Sequence, residues 1–171
     1  MRAICIFPDR STTESALKKL KDSGFSMDKV SVIAKYSDSS DKFPDIDVTE
    51  KEGKSGSTTG AATGAAVGTL GGLLAGISAL TVPGIGPIIT AGTVASALGT
   101  TLIGTGVGAG TGGLIGALMD LGIPDEKANT YSDRISRGDC IVIVEGRDED
   151  IHRAESILSH EGTQDWNSYN G

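Results

Sequence analysis

Between Ser55 and Met119 the chain has no charged side chain. That excludes a solvated, charge-laced surface there, and it does not fit the charged, Leu/Ile-poor composition of a disordered linker. Aromatic residues are also scarce, at 4%, with Trp166 the one tryptophan. Large aromatic anchors are therefore few in whatever core forms. Cysteine is limited to Cys5 and Cys140, each inside an apolar, strand-like run. Core thiols are the plain expectation, and a disulfide requires the two strands to be neighbours. No Cys or His spacing suits a metal, and His152 and His160 fall on one expected surface helix.

Positive excess is missing too. The formal net charge is −7, and residues 120–171 carry all of it, with five basic and twelve acidic side chains. Residues 1–54 balance ten against ten. An acidic surface without a basic patch repels phosphate backbones, so nucleic acid is not an expected partner. The first ten residues, MRAICIFPDR, contain no long apolar stretch after the arginine, which does not fit a secretory signal. The expected location is the cytosol, at the inner face of the cytoplasmic membrane.

Glycine is abundant, and it is ordered. Eighteen of the 25 glycines lie in the charge-free window, so their positions are organised and not a scatter of loop residues. A first row reads Gly56, Gly60, Gly64, Gly68, Gly72 and Gly76. After a Pro-Gly-Ile-Gly-Pro centre (Pro83, Gly84, Ile85, Gly86, Pro87), a second row reads Gly92, Ser96, Thr100, Gly104, Gly108, Gly112 and Gly116. A period of four lines small residues along one helix surface, where another backbone can come close. The expectation is a two-helix hairpin over 56–81 and 92–119, turning at Pro83, Gly84, Gly86 and Pro87. Helices of about 39 and 42 Å would each be long enough for a hydrocarbon core of about 30 Å.

Insertion of the first helix is marginal. Val67, Leu70, Leu73, Leu74, Ile77 and Leu80 give only roughly −2 to −4 kcal/mol. Each four-residue step also drifts about 40° around the helix, so one straight neighbour cannot cover a whole row. Contacts between copies of the chain are expected, and two settings stand open: lipid, or a water-soluble assembly in which the hairpins bury one another. Thr63, Thr69, Thr100, Thr101, Thr105 and Thr111 could line a pore, although hydroxyls also bond simply to helix carbonyls.

Outside the window the pattern is globular. Residues 2–7 read as a strand. Ser11 and Glu14 have capping-box spacing, Ala16, Leu17 and Leu20 form an apolar stripe, and Gly24 suits a helix stop. A strand over 30–34 and a polar connector over 36–54 follow. Pro124 can open a helix with Ala128, Tyr131 and Ile135 on one face, ending at Gly138. Residues 140–144 form a strand, Asp148 can cap a helix presenting Ile151, Ala154, Ile157 and Leu158, and a last strand is expected near 163–167.

The resulting divisions are 1–54 (β-α-β with connector), 55–119 (charge-free hairpin) and 120–171 (α-β-α-β). The fold class is α+β, a ferredoxin-like module split by a glycine-zipper hairpin. Ile4 to Phe7 and Cys140 to Val144 are apolar at consecutive positions, so both faces of these strands need cover. Either self-association or the helix after the insert must supply it.

No chemistry is visible. Gly104, Gly106 and Gly108 are close together, yet no Gly-Lys-Ser/Thr ending follows and no strand precedes them. No nucleophile–base or paired-carboxylate arrangement has local support. Neither an enzymatic activity nor a cofactor is expected. A ligand-sensing module remains an alternative by fold analogy alone.

The run from Val82 through Pro-Gly-Ile-Gly-Pro to Gly92, with Gly122-Ile-Pro-Asp-Glu126, Tyr131, Gly138 and Ile141 to Val144, resembles a bacterial family. It is the group of general stress or low-temperature-induced proteins. The resemblance covers nearly the whole chain and implies a small α/β module split by a glycine-zipper hairpin, in an intracellular stress-linked protein. It carries over no catalytic residues.

Overall fold

The computed structural model describes residues 1–35, 77–82, 85–92 and 113–169. In chain order the elements are β1 (Arg2–Phe7), α1 (Arg10–Asp22), β2 (Val30–Lys35), β3 (Ile77–Val82), β4 (Gly86–Ala91), α2 (Gly113–Asp120), α3 (Asp125–Arg137), β5 (Cys140–Glu145), α4 (Asp148–Leu158) and β6 (Asp165–Tyr169). The fold is α+β. One sheet runs β3-β4-β2-β5-β1-β6, and every neighbouring pair is antiparallel.

Neighbouring inner strands come from distant parts of the chain. β1 pairs with β5, Ile4 opposite Ile143 and Ile6 opposite Ile141. Side chains alternate across a strand, so an uninterrupted apolar strand feeds two cores. Ala3, Cys5 and Phe7 join Val142, Val144, Leu17, Leu20, Ile151 and Leu158 on the face covered by α1 and α4. Ile4 and Ile6 join Ile33, Ile141, Ile143, Leu118, Tyr131 and Ile135 on the face covered by α2 and α3. The second cover thus comes from α3, the helix that follows the insert, together with α2 at the insert's end. Each Leu or Ile so buried contributes about 1.5–3 kcal/mol against leaving it in water.

Local signals held in kind and shifted in place. α1 is capped by Asp9, not Ser11: the Asp9 carboxylate accepts from the Thr12 amide and from the Thr12 hydroxyl, each at 2.8 Å. Pro124 stands just before α3 as its cap, and Gly138 closes that helix in a left-handed conformation. Arg147 caps α4, and the Asp150 carboxylate accepts from the Arg147 amide at 3.2 Å. The last strand begins at Asp165, after the Gln164 amide donates to the Ile6 carbonyl at 2.9 Å.

The expected helical hairpin is corrected at its centre. Residues 77–81, expected to end the first helix, lie in strand β3, and Gly86–Ala91 is strand β4. The β-branched residues Ile77, Thr81, Val82, Ile88, Ile89 and Thr90 favour pleated backbone, and a residue preceding proline, as Val82 precedes Pro83, avoids the α region. Of the Pro-Gly-Ile-Gly-Pro centre, Ile85 is in a turn, and Gly86 and Pro87 open β4. β4 belongs to the sheet, since it pairs with β2 from Val32–Ala91 to Lys35–Ile88.

Candidate self-association surface

The described parts of the charge-free window are the strand pair β3–β4 and the helix α2. Gly86 opens β4 with φ +95, a left-handed value that glycine adopts without steric cost. Ile88, Ile89, Thr90 and Ala91 are buried. Gly92 then leaves the strand with φ +94, and a Cβ placed there would lie 2.3 Å from the Val30 carbonyl oxygen and 2.7 Å from Ser31 Oγ. Its expected role, packing one helix on another, is overturned. Gly92 lets the chain pass against the start of β2.

Gly116 is helical, as expected. On α2, Leu114, Ala117 and Leu118 are buried against the sheet. Ile115 and Gly116 are half-buried, and Met119 is 46% exposed, one of two exposed large apolar side chains among the described residues. A Cβ built on Gly116 meets nothing within 4 Å. The outward side of α2 is thus uncharged and shallow up to Asp120. Arg2 fixes the helix end: its Nε donates to Glu145 Oε1 at 2.6 Å, and its Nη1 donates to the Leu121 carbonyl at 2.7 Å. Nothing in the sequence around Arg2 signals this role, because both partners are more than a hundred residues away.

Gly56, Gly60, Gly64, Gly68, Gly72, Gly76, Gly104, Gly108 and Gly112 lie outside the described residues, as do Ser96, Thr100, Pro83 and Gly84. The structure does place the points where the two rows meet the sheet. Ile77 stands opposite Ala91, so the chain enters β3 and leaves β4 side by side.

Among the described residues, the titratable groups form no reactive cluster. Cys5 and Cys140 are free, on neighbouring strands and in one core; Cys5 faces Val142 and Cys140 faces Phe7. Diagonal positions on adjacent strands are about 7–8 Å apart, beyond disulfide reach without backbone movement. Burial raises both thiols above the ordinary cysteine value, Cys5 by a wide margin. Tyr131 is fully buried, and its hydroxyl meets that of Tyr169 at 2.9 Å. Burial first, then this contact, raises its phenol. His152 is an exposed residue of α4, beside Glu155 at 3.6 Å, and His160 lies in the short turn after it. Among the described residues no group of His, Cys, Asp or Glu could hold a metal ion, and no helix is long and apolar enough to cross a membrane.

Comparison with models of known protein families, with curated proteins and with solved structures finds no match to this chain.

Proposed function

We propose that this is a non-enzymatic, stress-linked protein that self-associates through its small-residue rows, with a lipid surface as its second partner. The pairing of Ile77 with Ala91 is the observation that carries the reading. It puts the start of β3 and the end of β4 at one end of the strand pair, which supports a reading in which the two rows leave the sheet side by side and meet each other or those of another copy. The open, uncharged outer side of α2 at Gly116 and Met119 supports the same reading. Small-residue surfaces gain chiefly from close van der Waals contact, which needs no charge and no pocket.

The order β2-β5-β1-β6, with α1 and α4 on one face, reads as a ferredoxin-like module. In this proposal it is the carrier, and α2 and α3 fill the face that a simpler module would leave open. The stress link rests on the family resemblance. Lys51 and Lys54, before the window, suit an anionic surface.

Gly68→Leu and Gly108→Leu test the assembly. Leucine is the better helix former, so propensity alone predicts a gain, whereas a close backbone contact would be wedged apart. The expected result is a fall in molar mass by light scattering, with the circular dichroism of the α/β part unchanged. Variants that assemble like the parent overturn the rows as an interface. Flotation of the full-length protein with vesicles containing anionic lipid tests the surface contact, and a protein left wholly at the bottom of the gradient overturns it.

A further inference from the structure

The sheet ends at β3 on one side and at β6 on the other, and no other described strand pairs with the outer edge of β3. The two edges differ. β6 opens with Asp165 and follows closely on Glu161, whereas Ile77–Val82 contains no charge, no proline and no glycine. Charged residues, proline and bulges are the usual guards that stop edge strands from pairing with other chains. β3 has none of them.

The register gives the direction of the β3 backbone groups that do not face β4. Thr81 stands opposite Pro87, which has no N–H to offer. A ladder in which Thr81–Pro87 is a non-hydrogen-bonded pair loses no bond there, and alternation then turns the amides of Ile77, Ala79 and Thr81 to the outer edge.

We propose that β3 pairs antiparallel with β3 of a second copy of this chain, about a twofold axis, joining two six-stranded sheets into one. Charge argues for this occupant. Two copies at −7 each repel wherever their acidic ends meet, and β3 lies inside the window that carries none of that charge. In a twofold pairing the six uncharged residues meet the same six, so no like charges are juxtaposed. The contact uses up the edge it is made from, so it closes at two copies, whereas β3 on β6 of the next copy would leave edges open for a filament. This interface is separate from the small-residue rows and stands or falls without them.

Ala79→Pro removes an outward amide while sparing the β3–β4 ladder, and edge strands tolerate proline where the N–H faces outward. The test is light scattering on the full-length parent, Ala79→Pro and Gly68→Leu, with circular dichroism as the folding check. The expected result is that Ala79→Pro halves the molar mass of the parent and stays folded. Thr81→Lys, a charge on the same edge, should do the same and serves if the proline variant does not fold. Halving by either edge variant, with Gly68→Leu unchanged, supports the edge and removes the rows as an interface. Loss in all variants supports both contacts. Loss in Gly68→Leu alone, or a parent that is monomeric at every concentration, overturns the proposal. A hydrogen-exchange pattern in which Ile77, Ala79 and Thr81 are equally protected in a folded Thr81→Lys variant also overturns it, since the cover would then come from the chain itself.

Discussion

Gly92 carries the sharpest single constraint in the molecule. The four-residue period counts it with the helical row, and that period says nothing about φ. The left-handed backbone and the Val30 carbonyl 2.3 Å from a hypothetical Cβ give it a different reason to be glycine. Gly92→Ala should destabilise the fold by about 2 kcal/mol or more, because backbone strain and a backbone clash add at one position. Urea unfolding checks this, and the same substitution would be nearly neutral if Gly92 were an ordinary helical glycine. Cys5 and Cys140 show the complementary case. Their place in apolar runs made burial legible, whereas the two-residue offset between them is a matter of register that composition does not carry.

At the scale of elements, what periodicity could see was the kind of element and what it missed was the competition between signals. β1 and β5 were legible as two-sided strands because every position from Ile4 to Phe7 and from Cys140 to Val144 is apolar. The first helix was legible, although its cap was misplaced: Asp9 offers two carboxylate oxygens to Thr12, where Ser11 would offer one hydroxyl. At β3 the glycine period points to helix, and the β-branched residues of β3 and β4 outweigh it. Asp9→Ala should cost about 1 kcal/mol, the usual loss of a helix cap, by urea unfolding at neutral pH. The Thr12 amide and hydroxyl hold the Asp9 carboxyl below its ordinary range. Its contribution is therefore full above the unfolded value of about 3.9 and is lost as pH falls through the lower folded value. The difference between parent and Ala variant should shrink in acid, and a difference that persists at pH 2 would remove the carboxylate as its source.

For the whole molecule, the two cores sandwich one sheet, and both thiols sit in the core beneath α1 and α4. A thiol reagent at pH 8 should leave Cys5 and Cys140 unmodified in the native protein over a time that labels the urea-unfolded chain completely. Burial disfavours the thiolate that reacts and blocks access to it. Rapid labelling of Cys140 without denaturant would mean that α1 lifts from the sheet on its own. The candidate surface was less legible than the fold. Its residues were singled out by spacing, and spacing alone did not distinguish Gly92, pressed on β2, from Gly116, open to its surroundings.

The position of β1 has a consequence for how the chain comes together in time. β1 is made long before both of its sheet neighbours, β5 and β6, which begin at Cys140 or later. Until those strands exist, Ile4, Ile6 and Phe7 have no partner strand, and the whole glycine-rich middle is synthesised while they wait. Pairings of such long sequence separation close slowly, and unpaired apolar strands are the species that aggregate or recruit chaperones. The nascent chain thus keeps β1 exposed until β5 and β6 arrive, and closure of this part of the sheet is gated by those two strands.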